Sequence, residues 1–261
     1  MYTKMSFVRK KLRGLSLKIF NKIENNGDCN FDNNGEKVFI NNLFNAFKNG
    51  GENKVMFDIG ANIGEYTDML ETKALQSNVT VELHLFEPTK SCFTTISNKY
   101  IDKNNIVLNN FGVSNSDNDA TIYYDKEESG LASLYQRNLE SYNLELNQSE
   151  TIQLRRIDNY IEEKNIKHID FIKIDIEGHE LKAFEGFGKY LNGEFIDYIQ
   201  FEYGGANLDS HSSLMELYKL LNDNGFKIAK MMPNGLELRG YFPLMDNFNY
   251  ANYVAISKRL V

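Results

Sequence analysis

The amino-acid sequence predicts an α/β fold in which a mostly parallel sheet has helices on both faces. Short apolar runs alternate with segments of helical periodicity along most of the 261 residues. A glycine-rich turn follows the first apolar run, and an acidic residue ends the second. Because parallel strands need crossover connections, usually helices, this alternation is typical of βαβ units.

Seven segments are predicted as strands because they are short, apolar and bounded by turn residues. They are Lys54–Asp58, Val79–Phe86, Ile106–Val113, Phe171–Ile176, Tyr198–Tyr203, Phe226–Met231 and Tyr253–Ser257. No clear helix separates the last two, so we expect them to form an antiparallel hairpin at the sheet edge. Residues 120–156 form an insertion with two strand-like runs around a polar loop. Loops of this length are typically functional, and we expect a cover on the substrate side.

The amino-acid composition excludes several classes of protein. The content of 42% hydrophobic and 25% charged residues suits one sizeable core. Two cysteines, Cys29 and Cys92, form neither a disulfide framework nor a zinc motif, which predicts a reducing cytoplasm. No apolar run reaches the ~18 residues of a membrane span. The net charge of −7 argues against nucleic acid as the partner.

The N-terminus differs from the rest in charge. Residues 1–22 contain seven lysines and arginines and no acid. Met5–Phe20 is predicted as an amphipathic helix whose apolar face comprises Met5, Val8, Leu12, Leu15 and Ile19. We divide the chain into an arm and linker, 1–50, and a main domain, 51–261. Three roles for the arm stay open: packing on the main domain or on a second subunit as a homodimer, a lid near the site, and peripheral contact with a membrane surface.

The first strand runs into the glycine turn Asp58-x-Gly60-x-x-x-Gly64. A dinucleotide fingerprint would carry glycine at the first position and hold a pyrophosphate at the helix N-terminus. The carboxylate of Asp58 would repel a pyrophosphate and suits a ligand with an ammonium group. S-adenosylmethionine is such a ligand, since it has an amino-acid end and no phosphate.

The second strand ends in Glu87 and Pro88. An acid at the end of the next strand of a nucleoside-binding unit hydrogen-bonds the ribose hydroxyls. We therefore expect Glu87 to bind the ribose of the cofactor.

An acidic cluster follows the fourth strand. Asp175, Glu177, His179 and Glu180 lie where the strand enters a helix, and Glu202 ends the next strand. Ligands bind outside the carboxyl ends of such strands. Asp175 is either a helix cap or a site residue, and His179 is either a surface residue or a general base. Asp175 and Glu202 could also bind a divalent cation such as Mg²⁺.

With these motifs the chain resembles the FkbM family of S-adenosylmethionine-dependent methyltransferases, from about Val55 to Ile256. The blocks that carry the resemblance are Phe57–Gly64, Phe86–Pro88, Gly112–Asp117, Ser129–Ser133, Arg156–Asp158 and Ile172–Glu180. The resemblance implies a Rossmann-like class I methyltransferase fold, with a mostly parallel seven-stranded sheet, an antiparallel edge hairpin and helices on both faces.

The resemblance also implies a site, with Asp117 near the adenine of the cofactor. The expected cofactor-binding residues are Asp58, Gly60, Ala61, Asn62, Gly64, Glu87, Pro88, Ser116, Asp117 and Asp175. The expected catalytic residues are Asp175, Glu177 and His179.

The activity that it implies is O-methylation of a hydroxyl on a sugar, a glycolipid or a small natural product. The asparagine-rich composition without tryptophan suggests an AT-rich bacterial or viral genome, and on that basis we favour a sugar, a nucleotide-linked sugar or another glycan precursor of surface polysaccharide synthesis. O-methylation of a secondary metabolite and a non-catalytic cofactor-binding protein of the same fold are the alternatives.

Overall fold

The structure is a computed structural model that describes residues 4–48, 51 and 53–261. The α-helices in these residues are α1 Phe7–Ile23, α2 Glu36–Phe47, α3 Glu65–Ser77, α4 Lys90–Lys99, α5 Ile157–Glu163, α6 Glu180–Gly186, α7 Gly205–Asp209 and α8 Leu214–Asp223. The strands are β1 Lys54–Ile59, β2 Val81–Phe86, β3 Ile106–Asn109, β4 Gly112–Ser114, β5 Asn118–Tyr124, β6 Gln148–Arg156, β7 Ile169–Ile174, β8 Ile196–Tyr203, β9 Phe226–Met232, β10 Gly235–Leu238 and β11 Ala251–Ser257.

The main sheet has the strand order β10-β9-β11-β8-β7-β1-β2-β3. The pairs from β3 to β8 are parallel, whereas β11 is antiparallel to both β8 and β9. The predicted α/β class and mostly parallel sheet are confirmed. Successive residues of β1, Met56 and Phe57, belong to two separate buried clusters. Helices therefore cover both faces of the sheet, as in other buried parallel sheets.

The edge of the sheet differs from the prediction. The strands β9 and β11 do pair, but the tight hairpin joins β9 to β10 through Pro233 and Asn234. An eighth strand is thus the edge, and β11 inserts between β8 and β9. With only four residues, β10 was too short to be recognised from the sequence.

The predicted third strand, Ile106–Val113, is also wrong, because it is two strands in different sheets. Its first half, β3, pairs with β2, and its second half, β4, pairs with β6 in a three-stranded sheet of order β4-β6-β5. Asn110 lies at the break and donates its side-chain amide to the Glu87 carbonyl oxygen at 2.9 Å. The two strand-like runs of the insertion are confirmed as β5 and β6.

The predicted boundary at residue 50 needs correction as well. Helix α2 buries Phe39, Ile40, Leu43, Phe44 and Phe47 in the cluster that contains β1 and β2 side chains. The main domain therefore includes α2. The connection before it is anchored too, since Asn25 donates to the Met231 carbonyl oxygen at 3.0 Å and the Gly27 amide donates to Tyr250 at 2.8 Å.

The N-terminal helix α1 confirms the helical prediction, but its apolar face does not pack on the chain. No residue of α1 is buried. Packing of this face on its own domain, which the sequence left open, is therefore wrong for the described residues. None of the described helices, α1 included, combines the length and hydropathy of a membrane span.

Candidate active site

A cavity of about 440 Å³ opens at the carboxyl ends of β1, β2 and β7. The small sheet and the insertion form its opposite wall through Ile122, Ser129, Gly130, Ala132, Leu134, Ile152 and Leu154. Its volume falls within the range of pockets that enclose small molecules and cofactors. The insertion therefore forms one wall of a cavity at the strand ends.

The glycine turn forms the floor of this cavity through Gly60, Ala61 and Asn62. Gly60 has a φ of 86°, and a Cβ there would collide with the carbonyl oxygen of Asp175. Glycine is required because it alone combines this backbone conformation with such a close approach. The turn therefore lies against Asp175 at the end of β7, beside the acidic cluster, as the sequence predicted.

Glu87 lies beside the turn and lines the cavity with Pro88. Its carboxylate accepts hydrogen bonds from the Thr89 amide at 2.9 Å, the Thr89 hydroxyl at 2.6 Å and the Asn62 amide at 2.9 Å. Burial raises the pKa of Glu87. The side chain is therefore held rigidly, with its carboxylate at the cavity wall.

Asp58 does not line the cavity, although the sequence placed it against the amino-acid end of the cofactor. It is 1% exposed and accepts a hydrogen bond from the Thr67 hydroxyl at 2.6 Å. Burial raises its pKa to about 6. Gly64 is likewise outside the cavity wall and packs against the Tyr100 hydroxyl. Asp58 and Gly64 therefore belong to the structure of the turn and not to the wall of the cavity.

Ser116 and Asp117 are also away from the cavity. Asp117 accepts hydrogen bonds from the Arg156 amide at 2.7 Å and the Asn159 side chain at 2.9 Å. β4 leaves the main sheet before these residues, so they do not line the cavity, and their position near the adenine stays a prediction. Gly112 and Val113 line the cavity from this segment instead.

The predicted acidic cluster forms at the ends of β7 and β8, and its members Asp175 and Glu177 line the cavity. Carboxylate oxygens of Asp175, Glu177 and Glu202 all lie within 4.8 Å of one another. Lys173 pairs with Asp175 at 2.8 Å, and Arg137 from the insertion pairs with Glu177. Two cations thus balance part of the negative charge.

The packing of these acids shifts their pKa values. Burial raises the pKa of Glu177 to about 8, and the neighbouring Asp175 contributes in the same direction. Burial and the same neighbour raise the pKa of Glu202 well above its ordinary value. A glutamate whose pKa is raised in this way holds a proton more tightly than an ordinary glutamate, which suits a proton acceptor.

His179 is buried and not at the surface. Its Nε2 lies 2.9 Å from the Ser114 hydroxyl and its Nδ1 lies 2.9 Å from the Tyr135 hydroxyl. Burial and the nearby Lys182 lower its pKa to about 4. With both ring nitrogens engaged and low basicity, His179 is poorly suited to the role of general base that the sequence allowed.

A buried polar network behind the cluster was not found from the sequence. The side-chain NH₂ of Gln200 donates to the Glu36 carboxylate at 2.6 Å, and the Tyr66 hydroxyl donates to the side-chain oxygen Oε1 of Gln200 at 2.6 Å. Tyr66 also lines the cavity. A glutamine between Ile199 and Phe201 in a buried strand was the one sequence signal for this network.

The parallel sheet with its antiparallel β11, the glycine turn and the cavity beside Glu87 define the protein as a Rossmann-like methyltransferase. The family profile described as the methyltransferase FkbM domain matches residues 58–228, about two thirds of the chain. The chain belongs to the FkbM methyltransferase family.

Individual relatives are more distant. The hexuronic acid methyltransferase AglP of Haloferax volcanii is 24% identical over 186 residues, which are 69% of this chain and 71% of AglP. The crystal structure of FkbM methyltransferase from Methylobacillus flagellatus KT has a TM-score of 0.49 at 20% identity and covers 83% of this chain. The METTL16 methyltransferase domain has a TM-score of 0.45 at 11% identity, covering 98% of this chain and 83% of that one. The chain spans about half the length, 48%, of the Methylobacillus protein.

Proposed function

We propose that this enzyme transfers a methyl group from S-adenosylmethionine to a hydroxyl of a sugar or glycan precursor. The observation that carries this proposal is that one cavity is lined both by the glycine turn with Glu87 and by Asp175 and Glu177 of the acidic cluster. The turn and Glu87 suit a nucleoside, and the two acids suit the deprotonation of a hydroxyl.

The residues of the cavity fit the proposed cofactor. Gly60 and Ala61 let a ligand approach the backbone closely, and Glu87 offers a carboxylate to ribose hydroxyls. Apolar side chains of the small sheet, such as Ile152 and Leu154, face them across the cavity. When bound, S-adenosylmethionine supplies an activated methyl group on a sulfonium.

The acidic cluster would bind and deprotonate the acceptor. We assign the proton to a carboxylate oxygen of Glu177, because its raised pKa makes it a stronger base than an ordinary glutamate. Asp175, held by Lys173, orients the hydroxyl by accepting a hydrogen bond. Positioning of this kind can itself supply several kcal/mol, up to about 7–11.

A sugar acceptor is the choice that the relative AglP supports, since its name specifies a hexuronic acid. Nucleotide-linked sugars and precursors of surface polysaccharides belong to the same class. The cytoplasmic location stays a prediction from cysteine usage alone.

A divalent cation at Asp175, Glu177 and Glu202 is the second candidate arrangement, because their oxygens lie close enough to share an ion. Lys173 and Arg137 already pair with two of these carboxylates, so an ion would have to compete with two positive charges close to it. We favour the arrangement without a metal. A chelator that abolishes methyl transfer, with recovery in Mg²⁺, would reverse that preference.

The test combines binding and turnover. Calorimetry with S-adenosylmethionine, S-adenosylhomocysteine and NAD should show binding of the first two only. Methyl-labelled cofactor should then be incubated with uronic acids, neutral sugars, nucleotide sugars and phenolic metabolites. Label in a sugar supports the proposal, label in a phenol replaces the acceptor class, and no cofactor binding refutes the function.

A further inference from the structure

We propose that α1 binds the surface of an anionic lipid membrane. The helix leaves large apolar side chains in solvent: Leu12 is 57% exposed and Leu15 is 56% exposed. An isolated helix of this length is marginally stable in water, so it needs a surface that takes up its apolar face.

The arrangement of side chains around α1 matches such a surface. At about 100° per residue, Val8, Leu12, Leu15, Ile19 and Ile23 fall within an arc of about 80°. Lys11, Lys18 and Lys22 border one side of this apolar stripe, and Arg9 and Arg13 border the other. An apolar stripe with basic borders and no acid is typical of helices that lie in the plane of a membrane interface.

Charge favours lipid over a second copy of the helix. Two α1 helices packed stripe against stripe would bring their basic borders together without a single acidic side chain to compensate. An anionic membrane neutralises these borders and accepts the stripe at the same time. The occupant that complements both features is therefore an anionic bilayer surface.

The segment after α1 is fastened to the edge of the main sheet and continues to a residue of the cavity wall. Glu24, which follows α1, pairs with Lys230 at 3.3 Å and with Arg239. Further along, the Phe31 ring packs edge-on against Tyr66, which lines the cavity. A membrane-bound α1 would therefore hold this side of the main domain at the lipid surface.

The experiment is vesicle flotation with the full-length chain. Vesicles of phosphatidylcholine containing phosphatidylglycerol should carry the protein, and vesicles of phosphatidylcholine alone should carry much less. Because each basic side chain near an anionic surface contributes to binding, Lys11→Gln and Lys18→Gln should each weaken partitioning about fivefold. Added salt should have the same effect in the unaltered protein.

A matched pair of substitutions tests the stripe. Leu12→Ser with Leu15→Ser removes two stripe residues and should weaken partitioning by at least about tenfold. Leu17→Ser removes a leucine of similar exposure, 55%, outside the stripe and should have a much smaller effect. Far-UV circular dichroism and cofactor affinity check that every variant keeps the fold of the main domain.

Three results would overturn the proposal. The first is that the unaltered protein does not float with anionic vesicles. The second is that Leu17→Ser weakens partitioning as much as Leu12→Ser with Leu15→Ser does. The third is a dimer in light scattering that Leu12→Ser with Leu15→Ser dissociates. The last would show that a second copy covers the stripe.

Discussion

Replacing Glu87 by glutamine should weaken S-adenosylmethionine binding by about 10- to 150-fold. A carboxylate has about four positions that accept hydrogen bonds. In Glu87 the Asn62 amide and two groups of Thr89 occupy three of them. About one position is left for a ribose hydroxyl, and a hydrogen bond to a charged group contributes about 1.5–3 kcal/mol, which gives the stated range.

The same substitution should lower stability. A glutamine at position 87 has one oxygen, so its NH₂ group must face either the Asn62 amide or the Thr89 donors. A buried donor that loses its acceptor costs about 1–3 kcal/mol. Thermal unfolding should therefore be measured first, and calorimetry should be carried out well below the unfolding temperature of the variant.

Thr89→Val is the matched control. It removes the hydroxyl that donates to Glu87 at 2.6 Å and leaves the carboxylate charge in place. We expect a loss of stability with cofactor affinity close to that of the unaltered protein. Unchanged affinity in folded Glu87→Gln, or an equal loss in Thr89→Val, would refute the ribose role of Glu87.

Three further predictions concern the other buried acids and the histidine. Since Glu177 must be ionised to accept a proton, kcat should rise with pH through its pKa of about 8, and Glu177→Gln should lower kcat by about 10²-fold or more. Asp175→Asn should shift that rise to lower pH, and a pH–rate profile with an unmoved rise would contradict the assignment. The pKa of His179 is lowered to about 4 in the folded protein, so as pH falls the unfolded chain, with a pKa near 6.5, takes up the proton before the folded protein does. The free energy of unfolding should therefore fall from about pH 6.5 towards pH 4. Denaturant titrations of His179→Gln should show no such loss. Asp58→Asn should change cofactor affinity less than Glu87→Gln in the same calorimetry, since Asp58 lies behind the turn.

The local features of the fold were accessible from the sequence. The turn at Gly60 requires a positive φ and a close contact with the Asp175 backbone. Both requirements are met by glycine, so the turn can be recognised from the sequence. The periodicity of α1 is also a local property, which explains why its helix was predicted. These features need no knowledge of distant parts of the chain.

The positions of Ser116 and Asp117 depend on pairing between distant segments. Asp117 follows a strand that was expected to stay beside β2, but Gly112–Ser114 pairs with Leu154–Arg156 instead. The hydrophobic pattern does not show whether Gly112–Ser114 pairs with β2 in the main sheet or with β6 in the small sheet, because Val113 would be buried in either one. Once the strand changes sheet, the residues after it leave the cavity.

The basicity of His179 also depends on distant segments of the chain and could not be predicted from the sequence. Its position after the fourth strand was predicted correctly, and the prediction of a base relied on its ordinary pKa. The hydroxyls that engage it come from Ser114 and Tyr135, which lie 65 and 44 residues away in the chain. Residue type and strand position therefore located the histidine, but its basicity depends on the small sheet and the insertion.

The insertion also determines the charge of the candidate site. Asp175, Glu177 and Glu202 share two close cations, and a third negative charge among them is unfavourable because the cluster is poorly solvated. Lys173 comes from the buried strand β7, whereas Arg137 comes from the insertion and also lies 3.4 Å from Asp209. Within the closed cavity, burial raises the pKa of Glu177 and Arg137 of the insertion lowers it. The segment that closes the cavity therefore also places a cation beside the proposed base, so the position of the insertion and the basicity of Glu177 are physically linked.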